Sequence, residues 1–231
     1  MFSKRLQASV REGAQKLAAA TRLVGLSPNS LTLIGLAIAV AAATLAALNQ
    51  QLWAGVVLLV AGAFDILDGA VARVSGRTHR FGAFLDSTAD RYGEGVLYLG
   101  LLYLFLMRLH QDVAVFLIAG ALLGSLLVSY VRARAQSLGF SCDVGWFARP
   151  ERVVLTAIGL IFGQMLIVLW ILAIATNLTA LQRIYAVWSQ YRAQIRSEQE
   201  PRQAPEEDPA PPAAGGPKHR RGAAPSSPGA V

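Results

Sequence analysis

Four aspartates lie at regular intervals in one stretch of an otherwise apolar chain, DILDGAVARVSGRTHRFGAFLDSTAD, from residue 65 to residue 90. Asp65 and Asp68 are three residues apart, and Asp86 and Asp90 are four apart. Residues at these spacings share one face of a helix, so each pair presents two carboxylates to the same side. Unpaired carboxylates are costly in apolar surroundings, so a cation should compensate them. Oxygen ligands without His or Cys favour a hard divalent ion, and we predict Mg²⁺.

The number of carboxylates indicates what else this site can accept. Two divalent ions would balance the four aspartates, so a pyrophosphate could enter without net repulsion. A pair of ions can also stabilise the incoming and leaving oxygens of a phosphoryl group. Gly69, Ala72 and Gly82 leave space for a bulky nucleotide near the helices. Arg73, five residues after Asp68, can contact a phosphate or a base.

The composition predicts that these aspartates belong to a membrane protein. The chain has 231 residues, of which 54% are hydrophobic and 15% charged, and its mean hydropathy is +0.45. Soluble domains carry about 25% charged residues. The net charge of +7 is typical of cytoplasmic loops beside anionic lipid, and we expect no nucleic-acid partner. The single cysteine, Cys142, excludes an intrachain disulfide and is expected to be a loop residue without a role.

The apolar runs predict an all-α polytopic protein with about six transmembrane helices within residues 31–190. A basic, amphipathic stretch at residues 2–24 precedes them and predicts a helix lying on the membrane surface. One helix over residues 151–188 would be about 57 Å long, so we predict two spans with a turn near Gly163 and Gln164. The predicted spans lie at 31–48, at 54–64 continuing into the aspartate stretch, at 81–107, at 113–131 and, as a pair, within 153–188.

The ends of the spans predict how the chain is organised and oriented. Pro28 and Asn29 interrupt the chain before the first span, and Asn29 or Ser30 can cap it. With six spans, the aspartates, both termini and most Lys and Arg residues lie on the cytoplasmic side of the plasma membrane. Residues 195–231 hold eight of the ten prolines. We therefore predict a membrane domain at 1–194 and a disordered tail at 195–231.

The aspartate stretch resembles the signature of the CDP-alcohol phosphatidyltransferase family, and all eight fixed positions of that signature are present. They are Asp65, Asp68, Gly69, Ala72, Arg73, Gly82, Asp86 and Asp90. The segment SPNSLT before the first span is similar to the family's nucleotide-contact segment. Three further segments, SYVRARA at 129–135, ARPER at 148–152 and LQR at 181–183, resemble the branch that makes phosphatidylinositol phosphate. The resemblance covers residues 1 to about 190.

This resemblance implies a site and a reaction. Asp65, Asp68 and Asp86 would bind two Mg²⁺ ions, for which Mn²⁺ could substitute, while Asp90 would bind the second ion and act as general base. The acceptor's hydroxyl would attack the lipid-side phosphorus of CDP-diacylglycerol, and CMP would leave. The resemblance also implies a homodimer in the lipid bilayer. The implied contacts to the CDP-lipid are Asn29, Thr32, Gly69, Ala72, Arg73, His79 and Gly82. His79 stands where the branch usually has Thr.

The acceptor lies outside the aspartate stretch. The resemblance suggests that Ser129, Arg132, Arg152 and Arg183 bind the phosphate of a phosphorylated polyol, with inositol 1-phosphate as the expected acceptor. Arg132 stands where the branch often has Lys. Each arginine alone could instead be a cytoplasmic anchor of its helix, and glycerol 3-phosphate is the alternative acceptor. The aspartates alone could also be helix caps or part of a proton relay, so a transporter and a lipid-binding scaffold are the non-enzymatic alternatives.

Overall fold

A computed structural model describes residues 27–75 and 80–199, except for the side chains of residues 28 and 66–75. Helices make up the regular structure of this part of the chain, and no strand occurs in it. A π-helical turn, Leu104–Arg108, continues the third helix. The α-helices are α1 (Pro28–Ala47), α2 (Gln51–Ser75), α3 (Arg80–Tyr103), α4 (Asp112–Ser137), α5 (Arg149–Ile161) and α6 (Met165–Gln199).

The helices confirm the predicted all-α polytopic membrane protein. Three of them are long and apolar enough to cross a membrane, namely Asn29–Ala47, Asp112–Ser137 and Met165–Gln199. The described part of α2 contributes a shorter apolar helix, Gln51–Asp65, and the aspartate stretch continues the same helix. The predicted surface helix at residues 2–24 lies outside the described residues.

The core brings α1 and α3 close together through small residues. α1 packs against both α2 and α3, and α2 packs against α5. A Cβ at Gly100 on α3 would overlap the carbonyl oxygen of Ala43 on α1, so only glycine allows this close approach. Tyr98 on α3 and Ser125 on α4 are joined by a buried hydrogen bond of 3.2 Å between their hydroxyls. These contacts hold α3, which carries two of the aspartates, within the bundle.

Two local predictions about helix ends have different outcomes. Ser27 is the N-cap of α1 and accepts a hydrogen bond of 3.2 Å from the Ser30 backbone nitrogen. The predicted cap at Asn29 or Ser30 is therefore wrong, because Pro28 is tolerated inside the first turn, where no backbone donor is needed. The predicted turn near Gly163 is confirmed: α5 ends at Ile161, α6 begins at Met165 and Gly163 has a φ of 65°.

The C-terminal end of α6 corrects the predicted start of the tail. The helix continues to Gln199, so residues 195–199 are helical rather than disordered. The segment before Pro201 contains mainly residues that tolerate a helix, and Pro201 is the first proline that would interrupt it. By internal contacts the chain divides into Met1–Arg192 and Ala193–Val231. Residues 200–231, the rest of the predicted tail, lie outside the described residues.

Candidate active site

Three of the four predicted metal ligands converge where α2 and α3 lie side by side. One carboxylate oxygen from each of Asp65, Asp86 and Asp90 lies within 4.8 Å of the others. We call these three residues the carboxylate cluster. Opposite ligands of an octahedral Mg²⁺ are about 4.2 Å apart, so side-chain shifts of about half an ångström at most would let these oxygens share one divalent ion. The side chains of Asp65 and Asp90 are 33% and 16% exposed, which leaves the cluster partly open to ligands.

The first residue of α5, Arg149, supplies a positive charge to the carboxylate cluster. Its Nη1 contacts Oδ2 of Asp65 and lies 2.8 Å from Oδ1 of Asp90. Its Nε is buried and has no hydrogen-bond partner among the described residues. Arg91 is farther away, with Nη1 at 3.8 Å from Asp90, and donates a hydrogen bond of 2.5 Å to the backbone oxygen of Ser87. Two arginines thus face three carboxylates, so the cluster keeps a net negative charge.

A second ion pair joins α3 and α5, one helical turn beyond Asp90 and Arg149. Glu94 follows Asp90 by four residues on α3, and Arg152 follows Arg149 by three on α5. Nε and Nη2 of Arg152 donate to the two carboxylate oxygens of Glu94 at 2.7 and 2.8 Å, and Nη1 donates to the Phe147 backbone oxygen at 3.1 Å. Arg152 is only 2% exposed. This bidentate pair fixes α5 beside the carboxylate cluster.

Two members of the carboxylate cluster, Asp65 and Asp90, line a cavity of about 280 Å³ between α1, α2, α3 and α5. Asp65, Asp90, Glu94, Arg149 and Arg152 form its charged wall. Most of the remaining wall is apolar and includes side chains from all four helices. A molecule with both a charged head and an apolar part would match these surroundings.

Two predicted nucleotide contacts come together at the start of α1 and α3. A Cβ at Gly82 would lie 3.4 Å from Oδ1 of Asn29, so the two residues are neighbours. Thr32, one turn after Asn29, lines the cavity together with the carboxylate cluster. The side chains of Asp68, Gly69, Ala72 and Arg73 are not among those described, although their backbone continues α2 beyond Asp65, and His79 lies outside the described residues.

The predicted acceptor residues gather near the C-terminal half of α6, but most are held by the protein itself. Arg183 donates from Nε to the Val144 backbone oxygen at 2.9 Å and from Nη1 to the Val128 oxygen at 2.6 Å. The positive charges of Arg132 and Arg152 both act on Arg183, so Arg183 lies near each of them. Ser129 follows Val128 on α4 and is partly buried.

Arg132 differs from the other two arginines because it is accessible. Its side chain is 48% exposed, and its Nη2 lies 2.6 Å from the even more exposed carboxylate of Asp143. Exposed ion pairs contribute little to stability and exchange readily. Arg132 is therefore the predicted acceptor residue most available to an external phosphate.

Sequence reasoning missed Arg149 and Glu94. Arg149 lies within the ARPER segment but was given no role of its own, and Glu94 was not singled out. Their contacts are tertiary, since Arg149 meets an aspartate 84 positions away. A weak signal exists in matched spacing: acidic residues at 90 and 94 face arginines at 149 and 152.

The comparison with protein families identifies the chain. The model of the CDP-alcohol phosphatidyltransferase family matches residues 25–188, which include every described residue of the site. The chain belongs to this family. The predicted divalent-metal-dependent CDP-alcohol phosphatidyltransferase is thereby confirmed, and the transporter and scaffold alternatives are set aside.

Curated relatives come from the inositol-phosphate branch that the sequence resembles. This phosphatidyltransferase is 37% identical over 184 residues to the phosphatidylinositol phosphate synthase of Mycolicibacterium smegmatis, which covers 75% of this chain and 83% of the relative. It is 36% identical over 186 residues to the archaetidylinositol phosphate synthase of Pyrococcus horikoshii, which covers 80% of this chain and 95% of the relative.

Solved structures share the fold. The crystal structure of Mycobacterium tuberculosis phosphatidylinositol phosphate synthase with CDP-DAG bound has a TM-score of 0.73 and 32% identity, covering 76% of this chain and 94% of that one. The structure of the same protein in complex with manganese and citrate has a TM-score of 0.72 at 32% identity, covering 76% and 89%. Both are similar to this phosphatidyltransferase over most of its described helices.

Proposed function

We propose that this enzyme transfers the phosphatidyl group of CDP-diacylglycerol to a hydroxyl of inositol 1-phosphate, forming phosphatidylinositol phosphate and releasing CMP. The observation that carries the proposal is the convergence of Asp65, Asp86 and Asp90 within 4.8 Å of one another, beside a largely apolar cavity that Asp65 and Asp90 line. The donor fits this arrangement because its pyrophosphate needs cations and its acyl chains need lipid.

The cation requirement follows from the donor atoms of the site. We propose that Asp65, Asp68, Asp86 and Asp90 hold two Mg²⁺ ions and that Mn²⁺ can replace them. Carboxylate oxygens suit both metals, and the relative from M. tuberculosis has been crystallised with manganese. When bound, such ions neutralise the pyrophosphate and stabilise charge on the leaving oxygen.

The side chains of the chain account for the rest of the reaction. Asp90 takes the proton from the acceptor's hydroxyl, which is the role that the family resemblance implies for it. Of the two aspartates that contact Arg149 it is the more enclosed, at 16% exposed against 33% for Asp65. The hydroxyl oxygen attacks the lipid-side phosphorus, the bond to the bridging oxygen breaks, and CMP leaves. Asn29, Thr32 and Gly82 bind the nucleotide where α1 meets α3. Gly69, Ala72, Arg73 and His79 complete that site in the proposal.

The acceptor's phosphate is proposed to bind at Ser129, Arg132, Arg152 and Arg183. Arginine forms bidentate contacts with phosphate, and three positive charges close to one another attract a dianion. Arg132 makes direct contact because it is exposed. Arg152 and Arg183 add positive electrostatic potential. Each would contact the phosphate directly only after releasing its present hydrogen-bond partners.

A competition assay tests the acceptor. Purified enzyme in lipid nanodiscs receives labelled CDP-diacylglycerol, Mg²⁺ and an equimolar mixture of inositol 1-phosphate, inositol, serine and glycerol 3-phosphate. We expect phosphatidylinositol phosphate to be the main lipid product. A product made from glycerol 3-phosphate would instead assign the enzyme to phosphatidylglycerophosphate synthesis. A parallel reaction with an ether-linked CDP-lipid reports how far the enzyme distinguishes the lipid tail.

We further propose that the site and both termini face the cytoplasm of a plasma-membrane protein. Arg132, Arg149 and Arg183 all lie at the end of the bundle that holds the site, which supports this orientation. The single cysteine, Cys142, is 1% exposed, so introduced cysteines can be labelled over a low background. Gln136→Cys should react with an impermeant maleimide only in inverted membranes and Gln111→Cys only in intact cells.

The remaining proposals concern assembly and domain limits. We propose a homodimer, and in-membrane cross-linking of two differently tagged copies tests it. We also propose that residues up to about 194 suffice for catalysis. A chain truncated after Gln199 should then keep the activity of the full chain, whereas loss of activity would assign the tail a catalytic role.

A further inference from the structure

Two ion pairs connect α3 to α5, and they differ in how many guanidinium nitrogens of the arginine have hydrogen-bond partners. Arg152 has three nitrogens engaged, two of them on the same carboxylate. The shortest contacts of Arg149 to Asp65 and to Asp90 are both made by Nη1, and its buried Nε has no partner in the described part of the chain. A buried donor left without a partner is costly. Arg149 is therefore held mainly by its ion pairs, and the hydrogen-bonding capacity of its guanidinium is only partly used.

The oxygens that Arg149 contacts belong to the carboxylate cluster. Oδ2 of Asp65 and Oδ1 of Asp90 are the atoms bound by Nη1, and both residues offer an oxygen to the group that lies within 4.8 Å. A divalent ion bound by Asp65 and Asp90 would compete with Nη1 for these carboxylates and would repel it. The guanidinium and the ion would therefore compete for the same two carboxylates.

We propose that Arg149 is an exchangeable internal counter-cation of the carboxylate cluster, which a divalent ion must displace from Asp65 and Asp90 in order to bind. This inference rests on the proposed metal site and adds a function to a residue outside the aspartate stretch. Arg149 limits repulsion among the three carboxylates while the enzyme has no metal. The Glu94–Arg152 pair keeps α5 in register so that Arg149 can return. Arg149 is thus a positioning residue that sets the affinity of the site for its ions.

The test is binding of Mn²⁺ to the full-length enzyme in nanodiscs without CDP-lipid, followed by electron paramagnetic resonance of the free ion. Arg149→Gln removes the competing charge and keeps a polar side chain. We expect its Kd for Mn²⁺ to be roughly tenfold lower than that of the wild type. Because an ion that binds more tightly stabilises the folded state more at a given concentration, Mn²⁺ should also raise the Tm of this variant more than that of the wild type.

Three matched variants separate exchange from general charge effects. Arg149→Lys keeps the charge and should bind Mn²⁺ within about threefold of the wild type. Arg91→Gln removes a charge 3.8 Å from Asp90 and should tighten binding by only about twofold. Arg108→Gln removes a charge at the opposite end of the bundle, beside the Leu48 carbonyl, and should change nothing.

The outcomes distinguish failure of this inference from failure of the proposed function. Equal or weaker Mn²⁺ binding by Arg149→Gln, with normal binding by the wild type, would overturn the exchange and leave the metal site intact. The same would follow if Arg91→Gln or Arg149→Lys tightened binding as much as Arg149→Gln. Absence of Mn²⁺ binding in the wild type and in all variants would overturn both the inference and the proposed metal site.

Discussion

The carboxylate cluster and the arginine group of Arg132, Arg152 and Arg183 are both concentrations of like charge, but the protein treats them differently. One carboxylate oxygen from each of Asp65, Asp86 and Asp90 lies within 4.8 Å of the others. Arg149 forms ion pairs with Asp65 and Asp90, and its buried Nε has no hydrogen-bond partner among the described residues. Arg152 and Arg183, in contrast, donate to a carboxylate and to backbone oxygens of the protein itself.

The difference shows how a ligand site can be recognised from electrostatics. Like charges that the fold leaves close together and only partly compensated need an external partner of opposite sign. Like charges that already have internal partners can serve the structure alone. On this reasoning the cluster is a ligand site, whereas the arginine group combines two structural members with one accessible member, Arg132.

Removal of metal should have the largest effect. Chelation with EDTA should lower CMP release from CDP-diacylglycerol by at least about 10³-fold, because Asp65, Asp86 and Asp90 would then face the pyrophosphate with net negative charge. Addition of Mg²⁺ or Mn²⁺ should restore the rate. Full activity after exhaustive chelation would contradict the distinction between a carboxylate cluster that needs an external cation and an arginine group whose charges have partners within the protein.

Loss of the buried partner of Arg152 should be the largest effect on stability. Glu94→Ala leaves a guanidinium that is 2% exposed without its carboxylate, which costs about 3–5 kcal/mol. Thermal unfolding in detergent should show a clear fall in Tm. Glu151→Ala on the exposed face of α5 is the matched control and should unfold near the wild-type temperature. A stable Glu94→Ala protein would mean that the pair does not hold α5.

Arg183 should affect both stability and acceptor binding. Arg183→Gln loses hydrogen bonds of 2.9 and 2.6 Å to Val144 and Val128, at a cost of about 1–3 kcal/mol. Steady-state kinetics should show a higher KM for the acceptor, with the KM for CDP-diacylglycerol nearly unchanged. A loss of stability without any change in acceptor KM would make Arg183 purely structural.

Arg132 should affect stability least. The Arg132–Asp143 pair is exposed, so Arg132→Gln should change the free energy of unfolding by less than about 1 kcal/mol. As a phosphate ligand it should still raise the acceptor KM by roughly tenfold. Asp143→Asn frees the arginine without removing its charge and should leave the acceptor KM equal or lower. An unchanged KM in Arg132→Gln would place the acceptor's phosphate elsewhere.

The sequence predicted the features that depend on local spacing. Asp86 and Asp90 share a helix face because they are four residues apart on α3, and the turn at Gly163 follows from a length too great for one span. Apolar runs likewise placed the starts of the six helices to within a few residues, whereas α6 continues past the predicted limit of residue 188 to Gln199. The cap at Ser27 was missed because proline was taken as a boundary rather than as the first helical residue.

Features that depend on contacts between distant segments were not predictable in this way. Arg149 approaches Asp65 across 84 positions of sequence, and Glu94 approaches Arg152 across 58. Contacts between residues so far apart leave no periodic pattern in a single sequence. The π-helical turn at Leu104–Arg108 was also missed, since it falls within an apolar run that predicts ordinary helix.

The most direct test of the account compares Asp90→Asn with Asp112→Asn. Asp112 is exposed and begins α4, at the opposite end of that helix from Arg132, so its substitution controls for loss of one carboxylate. The measurement is CMP release from CDP-diacylglycerol with inositol 1-phosphate and Mg²⁺, with Tm recorded for both variants. We predict that Asp90→Asn lowers the rate by about 10²–10⁴-fold at an unreduced Tm, while Asp112→Asn stays within about twofold of wild type. Near-normal turnover in Asp90→Asn would contradict the assignment of the carboxylate cluster as the catalytic centre.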